Sequence, residues 1–110
     1  MSKYTRVFKN ARLIDGVANT VEPEMTIIVQ NQRISEVQSD AAPVPPNATV
    51  ENLQGKTVLP GLIDTHVHTT LMDSECFPLF LAAGVTTARD VGGKLSRVLQ
   101  NRADLNSEKK

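Results

Sequence analysis

The stretch from Pro60 to His68 constrains the fold of this chain more than any other. It opens on a Pro-Gly dipeptide, which is typical of turns, and residues 62–68 are short, partly β-branched and apolar at their start, which predicts a strand. Side chains in a strand alternate between two faces, so Asp64, His66 and His68 share one face. The two imidazoles then lie roughly 6.5–7 Å apart along the strand, close enough to bind one metal ion.

The chain has two histidines, His66 and His68. Neutral imidazole binds divalent zinc, iron, nickel or cobalt, and a strand holds two such rings in a fixed relative orientation. The pattern is short, and two solvated or core histidines with no ligand would produce it equally well. The residues alone leave both interpretations open.

The residues after this stretch predict alternating helix and strand. The predicted elements are a helix over 73–83, a strand over 85–89 and a second helix over 94–105. Asp73 or Ser74 is a candidate cap for the first helix, and Gly84 stands where a helix C-terminal glycine is expected. A strand, a helix and a strand in this order predict a βαβ unit and a parallel pair of strands.

The first 58 residues predict an antiparallel β unit. The predicted strands cover residues 4–9, 11–14, 25–30, 33–38 and 49–53. Asn31 and Gln32 separate two of them as a candidate hairpin turn, although glutamine is a poor second residue for a tight turn. Residues 39–47 contain three prolines and predict a loop.

Two segments resemble one known family. Residues 60–68, Pro-Gly-Leu-Ile-Asp-Thr-His-Val-His, resemble the first-barrel-strand signature of the metal-dependent amidohydrolase superfamily, and residues 84–90, Gly-Val-Thr-Thr-Ala-Arg-Asp, resemble its second barrel strand. The resemblance is to the branch that contains imidazolonepropionase-like and prolidase-like enzymes. It implies an α/β chain: part of an N-terminal antiparallel β-sandwich domain over residues 1–58, then the first two βα units of an incomplete TIM (β/α)8 barrel over 59–110.

The resemblance also implies a chemistry. His66 and His68 would bind a divalent metal, with zinc expected, in a hydrolase that cleaves a C–N bond of a small-molecule amide, cyclic amide or Xaa-Pro dipeptide with metal-activated water. The family's proton-shuttling aspartate and its further histidines come from later strands. No catalytic residue is therefore assigned here, and the chain alone is expected to be inactive.

Two aspartates near the motif have open roles. Asp64 either orients an imidazole by accepting its other N–H or is a buried polar residue that binds neighbouring backbone, with no direct bond to the metal. Asp90 ends the second strand, where it lines the mouth of the site, pairs with Arg89 or caps a helix. Cys76 is expected to pack as a small apolar residue. The Gly92-Gly93 pair predicts a loop, since it lacks the spacing of a phosphate-binding motif.

The length limits what the chain can complete. A (β/α)8 barrel needs roughly 200–250 residues, and this chain has 110. It is expected to be either the front part of a longer enzyme or a non-catalytic product, such as a truncated chain or a β module that associates with a partner chain. A small metal-carrying protein is a weaker alternative, because two ligands make a poor site. Open strand edges predict self-association or complementation by the remaining barrel strands.

Composition excludes several other classes. Twelve basic residues balance 12 acidic ones, which favours neither nucleic acid nor an anionic membrane as a partner. A single cysteine excludes an internal disulfide and is compatible with a reducing compartment. The first six residues carry charge with no apolar segment behind them, so a secretory signal is not expected and a cytoplasmic location is.

Overall fold

The computed structural model describes residues 5–71 and 76–107. The chain divides into two compact units, Met1–Pro60 and Gly61–Lys110, and each is described by itself. Their assignment to a β domain and to the start of a barrel stays a prediction. Among the described residues, no helix has both the length and the apolar character needed to cross a membrane.

The first unit is one five-stranded sheet. Its strands are β1 (Thr5–Leu13), β2 (Glu22–Gln30), β3 (Arg33–Ser39), β4 (Thr49–Asn52) and β5 (Thr57–Val58). The sheet order is β3-β2-β1-β4, with β5 also paired to β1. The central strand β1 therefore contacts three of the four other strands.

The prediction of a purely antiparallel unit is right for three strands and wrong for two. β1, β2 and β3 pair antiparallel, but β4 and β5 both run parallel to β1. The proline-rich loop over residues 40–48 brings the chain back to the start of β1, so that Thr49 lies beside Arg6. Alternation of apolar side chains is the same in both directions, so it could not report this reversal.

Two local features of β1 and β2 also differ from the predicted pattern. The break expected at Asn10 is a bulge with φ of 56°, and a single strand continues through it. The strand predicted over 25–30 begins three residues earlier, because β2 starts at Glu22 and includes Pro23. Proline is tolerated near the first residue of a strand, where a missing N–H is least disruptive.

The hairpin between β2 and β3 is confirmed. Gln30 pairs with Arg33, so the loop is the two residues Asn31 and Gln32, with φ of 50° and 67°. Positive φ at both positions is the geometry of the tight turn that matches the twist of a hairpin. Gln32 adopts it although an L side chain disfavours this region.

Buried residues of β1 and β2 form the core of the first unit. They are Val7, Ala11, Thr26, Ile27 and Ile28. The buried Thr26 hydroxyl donates to the Asp40 carboxylate, and Lys9 Nζ donates to the Asp40 carbonyl at 3.1 Å. Desolvation opposes the charge of Asp40, but the hydrogen bonds from Thr26 and the Asn10 backbone and the charge of Lys9 hold its pKa below the ordinary value.

The second unit has the predicted order of strand, helix, strand and helix. Its elements are β6 (Leu62–Val67), a 3-10 turn (Thr69–Leu71), α1 (Cys76–Ala82), β7 (Val85–Asp90) and α2 (Leu95–Ser107). β6 and β7 pair in parallel, which confirms the βαβ prediction. The proposed caps Asp73 and Ser74 lie outside the described residues. Gly84 follows α1 with φ of 82°, and its N–H donates to the Leu81 carbonyl at 2.9 Å, as expected of a helix C-terminal glycine.

Much of the apolar surface in the second unit is open. Val67 and Cys76 are buried, and Cys76 is a free thiol, which agrees with its predicted packing role. A groove of about 470 Å³ is lined by parts of β6, β7, α1 and α2. Exposed large apolar side chains of the unit are Leu62, Ile63, Leu71, Leu79, Leu81, Leu95, Leu99 and Leu105, of which Leu81 and Leu105 line the groove.

Candidate metal-binding site

The two histidines lie together where β6 ends. His66 is the penultimate residue of β6. The strand ends at Val67, one residue earlier than predicted, so His68 directly follows it. Their ring centroids are 5.3 Å apart, with an angle of 74° between the ring planes. His66 is exposed and His68 is half-buried. Two imidazole edges are therefore accessible from the same side of the strand.

The His68 ring is held by Gly92, the second residue after β7. Its Nδ1 lies 3.1 Å from the carbonyl oxygen of Gly92. A carbonyl oxygen only accepts hydrogen bonds, so Nδ1 carries the proton in the neutral ring and Nε2 keeps its lone pair. The ring nitrogen that a metal could bind is thereby Nε2.

Gly92 must be a glycine for this contact. A Cβ on that residue would lie 2.8 Å from Cε1 and 3.0 Å from Nδ1 of the His68 ring. Carbon atoms do not approach so closely without displacement. The missing side chain is what lets the carbonyl of Gly92 reach the ring.

Asp90, the last residue of β7, connects the ends of both strands. Its Oδ2 accepts from the Thr69 N–H at 2.9 Å and from the Thr69 hydroxyl at 2.6 Å, and its Oδ1 accepts from the Gly92 N–H at 3.1 Å. The bond from the Thr69 hydroxyl, the N–H groups of Gly92 and Thr69 and the nearby His68 outweigh desolvation and lower the pKa of Asp90. It is therefore a carboxylate near neutral pH.

The contacts of Asp90 are those of a cap, and its predicted place at the mouth of the site stays a prediction. It binds the first N–H of the Thr69–Leu71 turn rather than a longer helix, and the hydrogen bonds of the described residues include none between Asp90 and Arg89. The sequence did not single out Thr69 or the carbonyl of Gly92. The sequence does carry a signal: Asp-x-Gly begins at the last residue of one strand, and Thr follows His-x-His at the end of its parallel neighbour.

Asp64 contacts the backbone of His66. Its Oδ1 accepts from the His66 N–H at 3.1 Å. Among the hydrogen bonds of the described residues, none joins Asp64 to an imidazole ring. Asp64 thus fixes the backbone that carries His66, and any influence on the ring stays a prediction.

Within the described residues, no third metal ligand joins the two histidines. In residues 5–71 and 76–107, no group of three His, Cys, Asp or Glu side chains converges as a metal site would. Catalytic zinc sites use three protein ligands. The two imidazoles, one of them held through Nδ1 with Nε2 free, therefore fit part of such a ligand set.

Comparisons with known proteins agree with the sequence pattern. No family model matches the chain. A dihydroorotase from Syntrophus aciditrophicus (strain SB) is 31% identical over 62 residues, which cover 56% of this chain and 14% of the relative. A solved amidohydrolase is 30% identical over 92% of this chain, with a TM-score of 0.68.

The chain is similar in sequence and in fold to members of the amidohydrolase superfamily. A solved molinate hydrolase has the same fold over 98% of this chain, with a TM-score of 0.75 and 27% identity. This chain spans 28% of that structure and 29% of the solved amidohydrolase. The partial coverage fits the N-terminal portion of such a protein, and the mixed α/β fold, with mostly strands, is the one that these neighbours share.

Proposed function

We propose that this chain supplies two metal-binding histidines, His66 and His68, to a hydrolase that cleaves C–N bonds. The bond would belong to an amide, a cyclic amide or an Xaa-Pro dipeptide. The observation that carries the proposal is the pair of imidazoles 5.3 Å apart at the end of β6, with Nε2 of His68 left free to bind. Similarity to a dihydroorotase and to a solved amidohydrolase supports the reaction class.

The metal would be divalent, with zinc as the first candidate, because neutral imidazole suits it. When bound, it would lower the pKa of water and polarise the carbonyl of the substrate. The part of this chain is to hold two ligands in a fixed orientation. His68 is oriented by the Gly92 carbonyl, and the backbone of His66 is held by Asp64.

The other catalytic groups would come from residues outside this segment. Further metal ligands and a proton-shuttling aspartate are needed for hydrolysis, and the chain has two histidines in all. The segment by itself would therefore bind metal without hydrolysing an amide.

Metal binding by the two histidines is tested by titrating the purified chain with Zn²⁺ in a calorimeter. Replacing both ligands, in His66→Ala/His68→Ala, should weaken binding at least about tenfold, since both imidazoles are lost. Thr65→Ala is the matched control: Thr65 directly precedes His66 on β6, is exposed and, by the alternation of a strand, faces the other side. Equal Zn²⁺ affinity of the double variant and the native chain would refute the proposal.

A second candidate function is a β module that associates with a partner chain. The observation that favours it is the narrow sheet of the second unit, in which β6 pairs with β7 alone among the described strands. Leu62 and Ile63 on β6 are 49% and 66% exposed. Partner strands could extend this sheet by pairing with its open backbone edges.

A further inference from the structure

We propose that Asp90 and Gly92 are positioning residues for His68, which hold its ring as the tautomer with the proton on Nδ1 and with Nε2 directed to the metal. The inference rests on the proposed function in one respect, namely that His68 is a metal ligand. The orientation and the tautomer can be measured in the metal-free chain.

The first step concerns the tautomer. A free neutral imidazole can carry its proton on either nitrogen, and only the unprotonated nitrogen binds a metal. The Gly92 carbonyl, 3.1 Å from Nδ1, accepts a hydrogen bond there and cannot donate one. The hydrogen bond thus selects one tautomer and one ring orientation before any metal arrives, which removes part of the ordering entropy from binding.

Gly92 is itself held in place by Asp90. One carboxylate, that of Asp90, accepts the N–H of Gly92 through Oδ1 and the N–H and hydroxyl of Thr69 through Oδ2. Thr69 directly follows His68, so the carboxylate binds both the backbone that carries the ring and the residue whose carbonyl binds it. The Val91 N–H also donates to the Val67 carbonyl at 3.1 Å and extends the strand pairing to the same place.

The third step is the contrast between the two histidines. Within the described residues, the recorded hydrogen bonds include none to the ring of His66, whose own contact to Asp64 is made by its backbone N–H. His68 is therefore the fixed ligand and His66 the adjustable one. The two rings of one chain serve as an internal comparison, since the solvent and the pH are identical for both.

The experiment uses the full 110-residue chain in two measurements. Long-range ¹H–¹⁵N spectra of the imidazole rings above the titration range report the tautomer of each histidine, and calorimetry reports Zn²⁺ affinity. In the native chain we expect His68 to be predominantly the Nδ1–H form and His66 to be a mixture. In Gly92→Ala the added Cβ displaces the ring, so His68 should become a mixture and Zn²⁺ affinity should fall about 10- to 100-fold.

Gly93→Ala is the matched control. It adds the same methyl group to the same loop, but its Cβ would lie 2.7 Å from Cγ2 of Thr70 instead of the His68 ring. It should leave the His68 tautomer unchanged. Asp90→Asn tests the hold of Asp90 on Gly92: an amide cannot accept from both Thr69 and Gly92 as a carboxylate does, so the His68 tautomer should shift in the same direction as in Gly92→Ala.

The outcomes separate this inference from the proposed function. If Gly92→Ala leaves the His68 tautomer as in the native chain, or if Gly93→Ala shifts it equally, the positioning role is overturned. If the tautomer shifts but Zn²⁺ affinity does not fall, positioning toward the metal is also overturned. If the native chain and His66→Ala/His68→Ala bind Zn²⁺ alike, the proposed function fails, whatever the tautomer spectra show.

Discussion

At the scale of single residues, two glycines of the second unit lie so close to a neighbouring side chain that a Cβ would not fit. Gly61 lies against Thr86 of the neighbouring strand, and a Cβ on Gly61 would lie 2.8 Å from Cβ of Thr86 and closer still to its Oγ1 and Cγ2. Gly92 stands in the same relation to the His68 ring. The two glycines flank the parallel pair at opposite ends, one before β6 and one after β7.

We expect Gly61→Ala to destabilise the second unit by roughly 1–3 kcal/mol, the usual range for an overpacked contact. Hydrogen exchange of the β6 and β7 amides is the measurement, because it reports that unit separately. Thr86→Ala in the same chain removes the two nearest atoms and should recover part of the loss. Additive effects of Gly61→Ala and Thr86→Ala would mean that the two residues do not contact each other.

At the scale of elements, the hairpin between β2 and β3 carries a residue that its geometry disfavours. Gln32 has φ of 67°, a region in which glycine has no steric penalty. Gln32→Gly should therefore stabilise the first unit by about 1 kcal/mol. Urea unfolding followed by circular dichroism measures the change.

Gln30→Gly is the control for the hairpin. Gln30 lies in β2 and pairs with Arg33, with an extended backbone, so the same substitution should destabilise the unit there. A loss of stability in Gln32→Gly as large as in Gln30→Gly would show that the turn conformation of Gln32 carries no strain.

The elements were predictable where local signals decide them. The βαβ order, the hairpin at Asn31 and the helix end at Gly84 all rest on periodicity and turn chemistry within a few residues. The parallel direction of β4 was not predictable, because it depends on a pairing between Arg6 and Thr49, which are distant in sequence. The Gly92 carbonyl was missed for the same reason: its partner His68 lies 24 residues earlier, and a backbone carbonyl leaves no mark in a sequence.

At the scale of the whole molecule, exposed apolar side chains of the second unit predict association. Ile63, Leu79 and Leu81 are each about two-thirds exposed, at 66%, 65% and 65%. Large exposed apolar surface is usually covered by a partner in a stable protein. We expect a concentration-dependent rise in mass in sedimentation velocity runs at micromolar concentrations.

A charge on that surface should reduce the association. Ile63→Lys places an ammonium group on β6 and is expected to shift the distribution toward the monomer. Val17→Lys is the control, because Val17 is 89% exposed but lies in a loop of the first unit. A native chain that sediments as a monomer across the whole range would contradict the prediction.

The central position of β1 has a consequence for the order of events during synthesis. Residues 5–13 leave the ribosome before every strand that they pair with, yet the last of those partners, Thr57–Val58, ends the first unit. The nascent strand can join β2 early, but its opposite edge waits for residues 49–58 and stays available to wrong partners meanwhile. The sheet can therefore be completed only after its last strand, Thr57–Val58, has been synthesised. That strand ends just before the turn that leads to the histidines.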